Sequence, residues 1–232
     1  MAPTRILRIF SRLNIGGPSL HVIHLSAGLA RCGFETRLIV GRSEEHEGDF
    51  LDRAQEHGVH ITVVPELGRA LRPWNDLSAL IKIYRIVREY RPDIVHTHTA
   101  KAGVLGRVAA WLARVPIVVH TYHGHVLTGY FHPLVSAFFR GVERVLAPGT
   151  DALLTVSESV REDLVRLGVA PAARIRVLPL GLDLQPLAQA LPTGALKKEA
   201  GWEAETRVVG IVGRLVPIKD VGTFIAAAAT VA

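Results

Sequence analysis

The residues of this chain best suited to chemistry fall into three groups. Five of its eleven histidines crowd into two short stretches, His96 and His98 in HTHTAK and His120, His123 and His125 in HTYHGH. An imidazole near neutral pH can donate, accept or pass on a proton. The second group is the glycine turn NIGGPS, Asn14 to Ser19. There Gly16-Gly17 brings bare backbone close to whatever lies above it, and Pro18 suits the first turn of a helix. A strand, a glycine turn and a helix N-terminus in succession direct free N–H groups and a positive helix end at one spot, which favours an anion. The third group is Arg214 after Gly213, with Lys219 five residues on. A planar fork and a point charge together suit a diphosphate leaving group without a metal.

Each group also has a plain structural reading. A lone histidine at a strand end is commonly a satisfied structural residue, and a Gly-Gly pair is commonly only a turn. The clustering of five rings is what favours function. Alternating His-x-His is expected to turn successive rings to opposite faces of the sheet, so no metal site is expected. No Gly-x-Ser-x-Gly elbow is present. A nicotinamide site fits poorly, because Gly-x-Gly-x-x-Gly is missing and Gly41-Arg42 stands where a ribose-binding acid belongs.

The elements that must position these residues alternate between strand and helix. Ile6 to Phe10 reads as a buried strand, followed by a helix from Ser19 to Cys32 with Leu20, Ile23, Ala27 and Ala30 on one face. Cys32 is expected to sit unreactive in its last turn. Strands follow at 36–40, 59–64, 93–98, 117–121, 152–156 and 175–178, with helices at 49–57, 76–90, 101–113 and 131–146 between them. The 131–146 helix is expected to be wet through Arg140, Glu143 and Arg144. Ser159 and Glu162 read as a capping box for one more helix, ending near Gly168. Repeated βα units with apolar strands predict an α/β fold: a Rossmann-like, doubly wound parallel sheet over residues 1–180. Ligands of such sheets sit beyond the carboxyl ends of the strands, where the histidines fall. Residues 181–206, with spaced prolines and one short helix near 194–200, read as an interdomain linker. Val208 to Gly213 reads as a buried strand and 222–232 as a helix, so 207–232 is expected to open an incomplete second domain.

Composition bounds the function. With 232 residues, 49% of them hydrophobic, the chain can bury a sizeable core. The net charge of +6 suits phosphorylated ligands, an anionic membrane or nucleic acid. No DNA- or RNA-binding signature appears, so nucleic acid is not expected. Arg69, Arg72, Lys82, Arg85, Arg88 and Arg91 surround Trp74 and outnumber Asp76 and Glu89. They form either a solvated helix face or a dock for anionic lipid, which Tyr130, Phe131, Phe138 and Phe139 could extend. A single cysteine excludes an internal disulfide, and neither a signal sequence nor a spanning apolar run is apparent. A cytoplasmic protein is expected, peripheral at most on the inner face of a membrane.

Taken together, NIGGPSLHVIHLSAGLARCGFETRLIVG, RPDIVHTHTAKAGVLGRVAA, VVHTYHGH, DALLTVSESVREDLVRLGV, VLPLGLD and VVGIVGRLVPIKD resemble, in order and spacing, a family-4 retaining glycosyltransferase of GT-B fold. The resemblance covers nearly the whole chain. It implies that Gly16 and Gly17 line the donor phosphate and sugar, that His123 contacts the donor sugar, and that Arg214 and Lys219 stabilise the departing nucleotide diphosphate. Asn14, His98, Lys101 and His125 are the candidates for the acceptor side. It further implies transfer with retention from a UDP- or GDP-linked donor to a glycan or lipid-linked acceptor, with neither cofactor nor metal.

The family's Glu-x7-Glu element, which holds the donor sugar and ribose, has no counterpart in these residues. The chain by itself is therefore expected to show weak or no transferase activity. Two other functions fit parts of the pattern: a GT-B sugar-nucleotide epimerase, which lacks the Arg–Lys pair in this setting, and a non-catalytic Rossmann-type module binding sugar or lipid.

Overall fold

The computed structural model describes residues 2–44, 48–68, 70–124, 127, 132–213, 215 and 219–231. It divides into two compact units, Met1–Asp183 and Leu184–Ala232.

The first unit is built on seven parallel strands: β1 (Arg5–Arg12), β2 (Glu35–Gly41), β3 (His60–Val63), β4 (Ile94–His98), β5 (Ile117–Tyr122), β6 (Ala152–Thr155) and β7 (Ile175–Val177). Their order is β3-β2-β1-β4-β5-β6-β7. The chain steps outward from β1 to β3, then returns past β1 to lay down β4 and continues the other way. That reversal opens a crevice at the carboxyl ends of β1 and β4, the place where such sheets receive ligands. Leu7, Ile9, Val95 and Val118 are buried against helices α3 (Pro73–Tyr90) and α4 (Ala100–Leu112). On the opposite face Phe10, Leu38 and Val40 pack on α1 (Gly17–Arg31) and α2 (Leu51–Glu56). The buried face of α1 comprises Ser19, His21, Val22, Ile23, Ser26 and Ala27, whereas Ala30, expected on that face, is exposed. Cys32 lies just past the helix and is exposed as well.

Two close approaches fix the spacing at the crevice. In α4, a Cβ on Gly103 would come within 2.5 Å of the His120 ring, and one on Gly106 within 2.6 Å of Thr97 and 2.9 Å of Ile9. Only glycine lets this helix lie so low on β1, β4 and β5. At the end of β2, a Cβ on Gly41 would lie 1.9 Å from the Leu67 carbonyl oxygen and 2.5 Å from that of Ser11.

Helix α5 (Pro133–Leu146) overturns part of the expectation drawn from its sequence: Arg144 is exposed and Arg140 half-buried, but Glu143 is enclosed. Its polar stripe points inward: Ser136 and Glu143 are buried, while Leu134, Phe138 and Val145 are 75%, 66% and 72% exposed. The cause is an ion pair beneath β5. Arg107 of α4, fully enclosed, donates from one terminal nitrogen to both Glu143 oxygens at 2.8 Å and from Nε to the Gly103 carbonyl at 2.9 Å. Tyr122 donates its hydroxyl to Glu143 at 2.6 Å, and burial together with that carboxylate raises the phenol's pKa. A buried guanidinium requires a buried partner, so the carboxylate side of α5 must face the sheet and the apolar side is left outside. Helix α6 (Glu158–Arg166) is capped by Ser157, whose Oγ accepts from the Val160 N–H at 3.3 Å. The expected cap at Ser159 is thus displaced by two residues.

The second unit holds α7 (Gln185–Ala188), α8 (Ala195–Glu199) and α9 (Val221–Val231). Val208 to Gly213 is not a strand: it is irregular, and Val209 and Val212 are fully open. A strand needs a neighbour to satisfy its backbone, and this unit offers none among its described residues.

Removing one partner of the buried pair should expose its cost. Glu143→Ala is expected to destabilise the first unit by about 3–5 kcal/mol, read as a lower urea midpoint, because it strands the Arg107 charge.

Candidate functional site

The histidines meet at the carboxyl ends of β4 and β5. The strands pair in parallel with His96 opposite Val119 and His98 opposite Thr121, which sets His123 beside His98 one step on. Nδ1 of His98 and Nε2 of His123 are 3.0 Å apart, and the two rings are tilted by 32°. His96 lies on the same face as His98, with ring centroids 4.2 Å apart, and its Nε2 meets the Thr121 hydroxyl at 2.8 Å. The expected divergence of His-x-His does not occur: residues two apart on a strand share a face, and it is Thr97 and His120 that occupy the other, 2.8 Å apart. Among the described residues no three His, Cys, Asp or Glu converge as a metal-binding group.

Two further residues complete the cluster, and neither stood out in the sequence. His21, in the second turn of α1, brings its ring to 5.5 Å from that of His123. It ties the Gly16-Gly17 turn to the histidines, since Gly16 caps the helix that carries His21. Arg8, in the middle of β1 and opposite His96, is fully buried, with Nη1 at 3.2 Å from the Ser26 hydroxyl. Its Nε and Nη2 have no hydrogen-bond partner among the described residues. The available signal was a cation inside the apolar run ILRIF, which a buried strand does not hold without reason.

Burial makes this a neutral site around one cation. Desolvation lowers the pKa of His21, with Arg8 as a further cause, and pushes those of His96 and His98 well below the usual range. His123 is lowered to about 4, again by desolvation and then by His21. Burial also lowers Arg8, but only to about 10, so its guanidinium stays charged while the imidazoles stay neutral at pH 7.

The other expected residues are placed as follows. Gly16 and Gly17 form the open start of α1: a Cβ on Gly17 would meet nothing within 4 Å. Asn14 pairs across to Asp49, and its carbonyl accepts from the Ser19 hydroxyl at 2.6 Å. Lys101 is engaged: its ammonium forms an ion pair with Asp76 and donates to the Ala70 carbonyl at 2.7 Å. Lys219, in the second unit, has its side chain alongside Gly213, and Asp220 caps α9 through the Thr223 hydroxyl at 2.7 Å. His125 and Arg214, like Arg69, Tyr130 and Phe131, lie outside the described residues. A cleft of about 440 Å³ lies at the opposite end of the sheet, among Arg88, Arg91, Asp93 and Arg114, remote from the histidines.

The strand order, with its switch point between β1 and β4, defines a Rossmann-like, doubly wound domain of the kind found in GT-B proteins. Residues 15–186 match the model of Glycosyltransferase Family 4, and the chain belongs to that family. Over 173 residues it is 35% identical to the UDP-Gal:alpha-D-GlcNAc-diphosphoundecaprenol alpha-1,3-galactosyltransferase of Escherichia coli, covering 74% of this chain and 44% of that one. It is 29% identical to a D-inositol 3-phosphate glycosyltransferase of Thermobispora bispora, covering 92% and 52% respectively. The chain thus spans about half the length of the curated relatives it matches. In fold it resembles sucrose-phosphate synthase from Thermosynechococcus elongatus, with a TM-score of 0.70 at 20% identity over 98% of this chain and 60% of that one. A UDP-N-acetylglucosamine 2-epimerase from Listeria monocytogenes shares less of it, with a TM-score of 0.56 at 16% identity over 75% of this chain and 45% of that one.

Thr99, directly after His98, stores strain at the site. It has φ 64° and ψ 162°, a region that a β-branched residue rarely enters. Its hydroxyl is held by Ser11 at 2.6 Å and by the His98 carbonyl at 2.5 Å. Both Thr99→Ala and Thr99→Gly lose these bonds, but only glycine relaxes the backbone. The glycine variant should therefore be the more stable of the two by about 1 kcal/mol or more in thermal unfolding.

Proposed function

We propose that this chain is the acceptor-side portion of a retaining glycosyltransferase, moving a hexose from a UDP- or GDP-linked donor to a glycan or lipid-linked acceptor. The observation that carries the reading is the His98–His123 pair, set at the carboxyl end of β5 and joined through His21 to the open helix start at Gly16-Gly17. In this reading the turn receives the donor's phosphate and sugar, and His123 contacts the sugar. Arg214 and Lys219 take up the charge of the nucleotide diphosphate as the acceptor oxygen replaces it on the same face of the anomeric carbon. Neither metal nor cofactor is proposed. The relative from Escherichia coli, named for a UDP-sugar donor and a diphosphoundecaprenol acceptor, supports this choice of partners.

The acceptor's source is read from the outer helix faces. Leu134, Phe138 and Val145 on α5 and Trp74, Leu77 and Ile81 on α3 are exposed, with the exposed Arg72 and Arg85 on either side of the latter along the chain. Both helices begin at the carboxyl end of the sheet, where an acceptor would enter. No helix among the described residues is long and apolar enough to cross a membrane. We propose instead that these faces rest on an anionic membrane surface, each well-placed cation contributing about 1 kcal/mol.

Two measurements test the reading. Nucleotide release by the full-length protein should appear with one member of a UDP- and GDP-sugar panel, and His123→Ala or Lys219→Ala should lower kcat about 10²–10³-fold. Unchanged rates in both variants would reject the site; no release with any donor would favour a binding module. Sedimentation with vesicles containing phosphatidylglycerol should pull down the protein at low salt. The double variant Trp74→Glu, Phe138→Glu should lower the bound fraction severalfold, and equal binding would reject the membrane face.

A further inference from the structure

The bond between the two rings constrains both. Each neutral imidazole carries one proton on one of its two nitrogens, and which nitrogen holds it is set by the partner of the other. Nδ1 of His98 and Nε2 of His123 face each other at 3.0 Å, so one of them must be the N–H and the other the lone pair. The tautomers are thereby locked together. If His98 donates, its own Nε2 is bare and His123 bears its proton on Nδ1. If His123 donates, its Nδ1 is bare and His98 bears its proton on Nε2.

The surroundings choose between the two. Nε2 of His98 is buried and has no hydrogen-bond partner among the described residues, and the charged, donor-only guanidinium of Arg8 acts on this ring from the same face of the sheet. A bare nitrogen presents a lone pair to that positive field, whereas an N–H would present a second positive end to it. Nδ1 of His123 is likewise buried and unpartnered. It is the nitrogen that the contact with His98 leaves unbonded, and no partner meets it among the described residues. His98 itself is fully buried, with Phe10 edge-on at 6.2 Å and His96 stacked on it, so it lies beneath His123 instead of standing open to an acceptor.

We propose that His98 is a positioning residue: it donates from Nδ1 to Nε2 of His123 and so fixes His123 in the Nδ1–H form, offering a donor to a hydroxyl oxygen of the bound sugar. The ligand in this statement rests on the function proposed above; the tautomer does not. His96, held by Thr121, backs the ring of His98 and limits its rotation.

Nitrogen-15 NMR of the histidine side chains tests this in the unliganded protein, with His123 assigned by the signals lost in His123→Gln. In the wild type, Nδ1 of His123 should be pyrrole-like and Nε2 pyridine-like. His98→Phe fills the space but removes the bond, and the Nε2–H form, which predominates for a free imidazole, should become the major one. His98→Asn keeps an amide at the Nδ1 position and should restore the Nδ1–H form. With donor sugar present, kcat should follow the same order, falling at least tenfold in His98→Phe and recovering in part in His98→Asn. A wild-type spectrum showing Nε2–H would overturn the proposal. So would an unchanged His123 spectrum in a folded His98→Phe protein, and if that variant does not fold, the wild-type and His98→Asn spectra decide. The spectra judge the pairing, whereas the turnover of His123→Ala judges the reading on which its use depends.

Discussion

A guanidinium sealed beneath β5 governs much of this structure. Arg107 has no route to water, and removing a charge from water is tolerable only when it is paired and hydrogen-bonded. Glu143 pairs with it through one terminal nitrogen, the Gly103 carbonyl accepts from its Nε, and Tyr122 in turn donates to the carboxylate. In doing so they link α4, α5 and β5 at one point and settle which side of α5 faces the sheet. The register of β5 is fixed there, one residue before His123. The position of the candidate catalytic ring therefore depends on an electrostatic condition met on the opposite face of the sheet.

The two faces deal with charge differently. Below, Arg107 is matched by a carboxylate. Above, Arg8 is surrounded by uncharged imidazoles and one serine, and no carboxylate among the described residues is bonded to it. A lone buried cation makes neighbouring rings harder to protonate, so the cluster keeps its hydrogen-bonding capacity in the neutral form at ordinary pH. The strained backbone at Thr99 and the glycines of α4 serve the same end: they allow two strand ends and a helix to approach closely enough for the rings to touch.

Much of this was legible from residue patterns. The alternation of apolar strands with helical periods identifies the sheet and its handedness, and the strand-end histidines point to the crevice. What periodicity does not carry is pairwise. Glu143 reads as solvent-facing because a carboxylate usually is, and only the unseen Arg107 36 residues away reverses that. The three valines of VVGIVG read as a buried strand because β-branched residues usually are, yet Val208 to Gly213 stays irregular without neighbours to pair with. His96 and His98 differ again: residues two apart on a strand share a face, so strand geometry alone brings these two rings together. Family likeness placed Gly16, Gly17 and His123; it could not show that His21 and Arg8 complete the same cluster.

Gly41 has a consequence for how the rim of the crevice can vary. Three backbones converge there, from β1 at Ser11, from β2 and from the segment after β3 at Leu67, with no room for a single methyl group. Leu67 is itself enclosed and donates its N–H to the Val64 carbonyl at 2.9 Å. The polypeptide leaving β3 is thus clamped for four residues. Insertions that reshape this rim are admissible only from Gly68 onward, and a graft that starts earlier would break the clamp before it altered any contact with a ligand. The segment between Gly68 and α3 is the interchangeable piece, and Gly41 is the fixed socket into which it plugs.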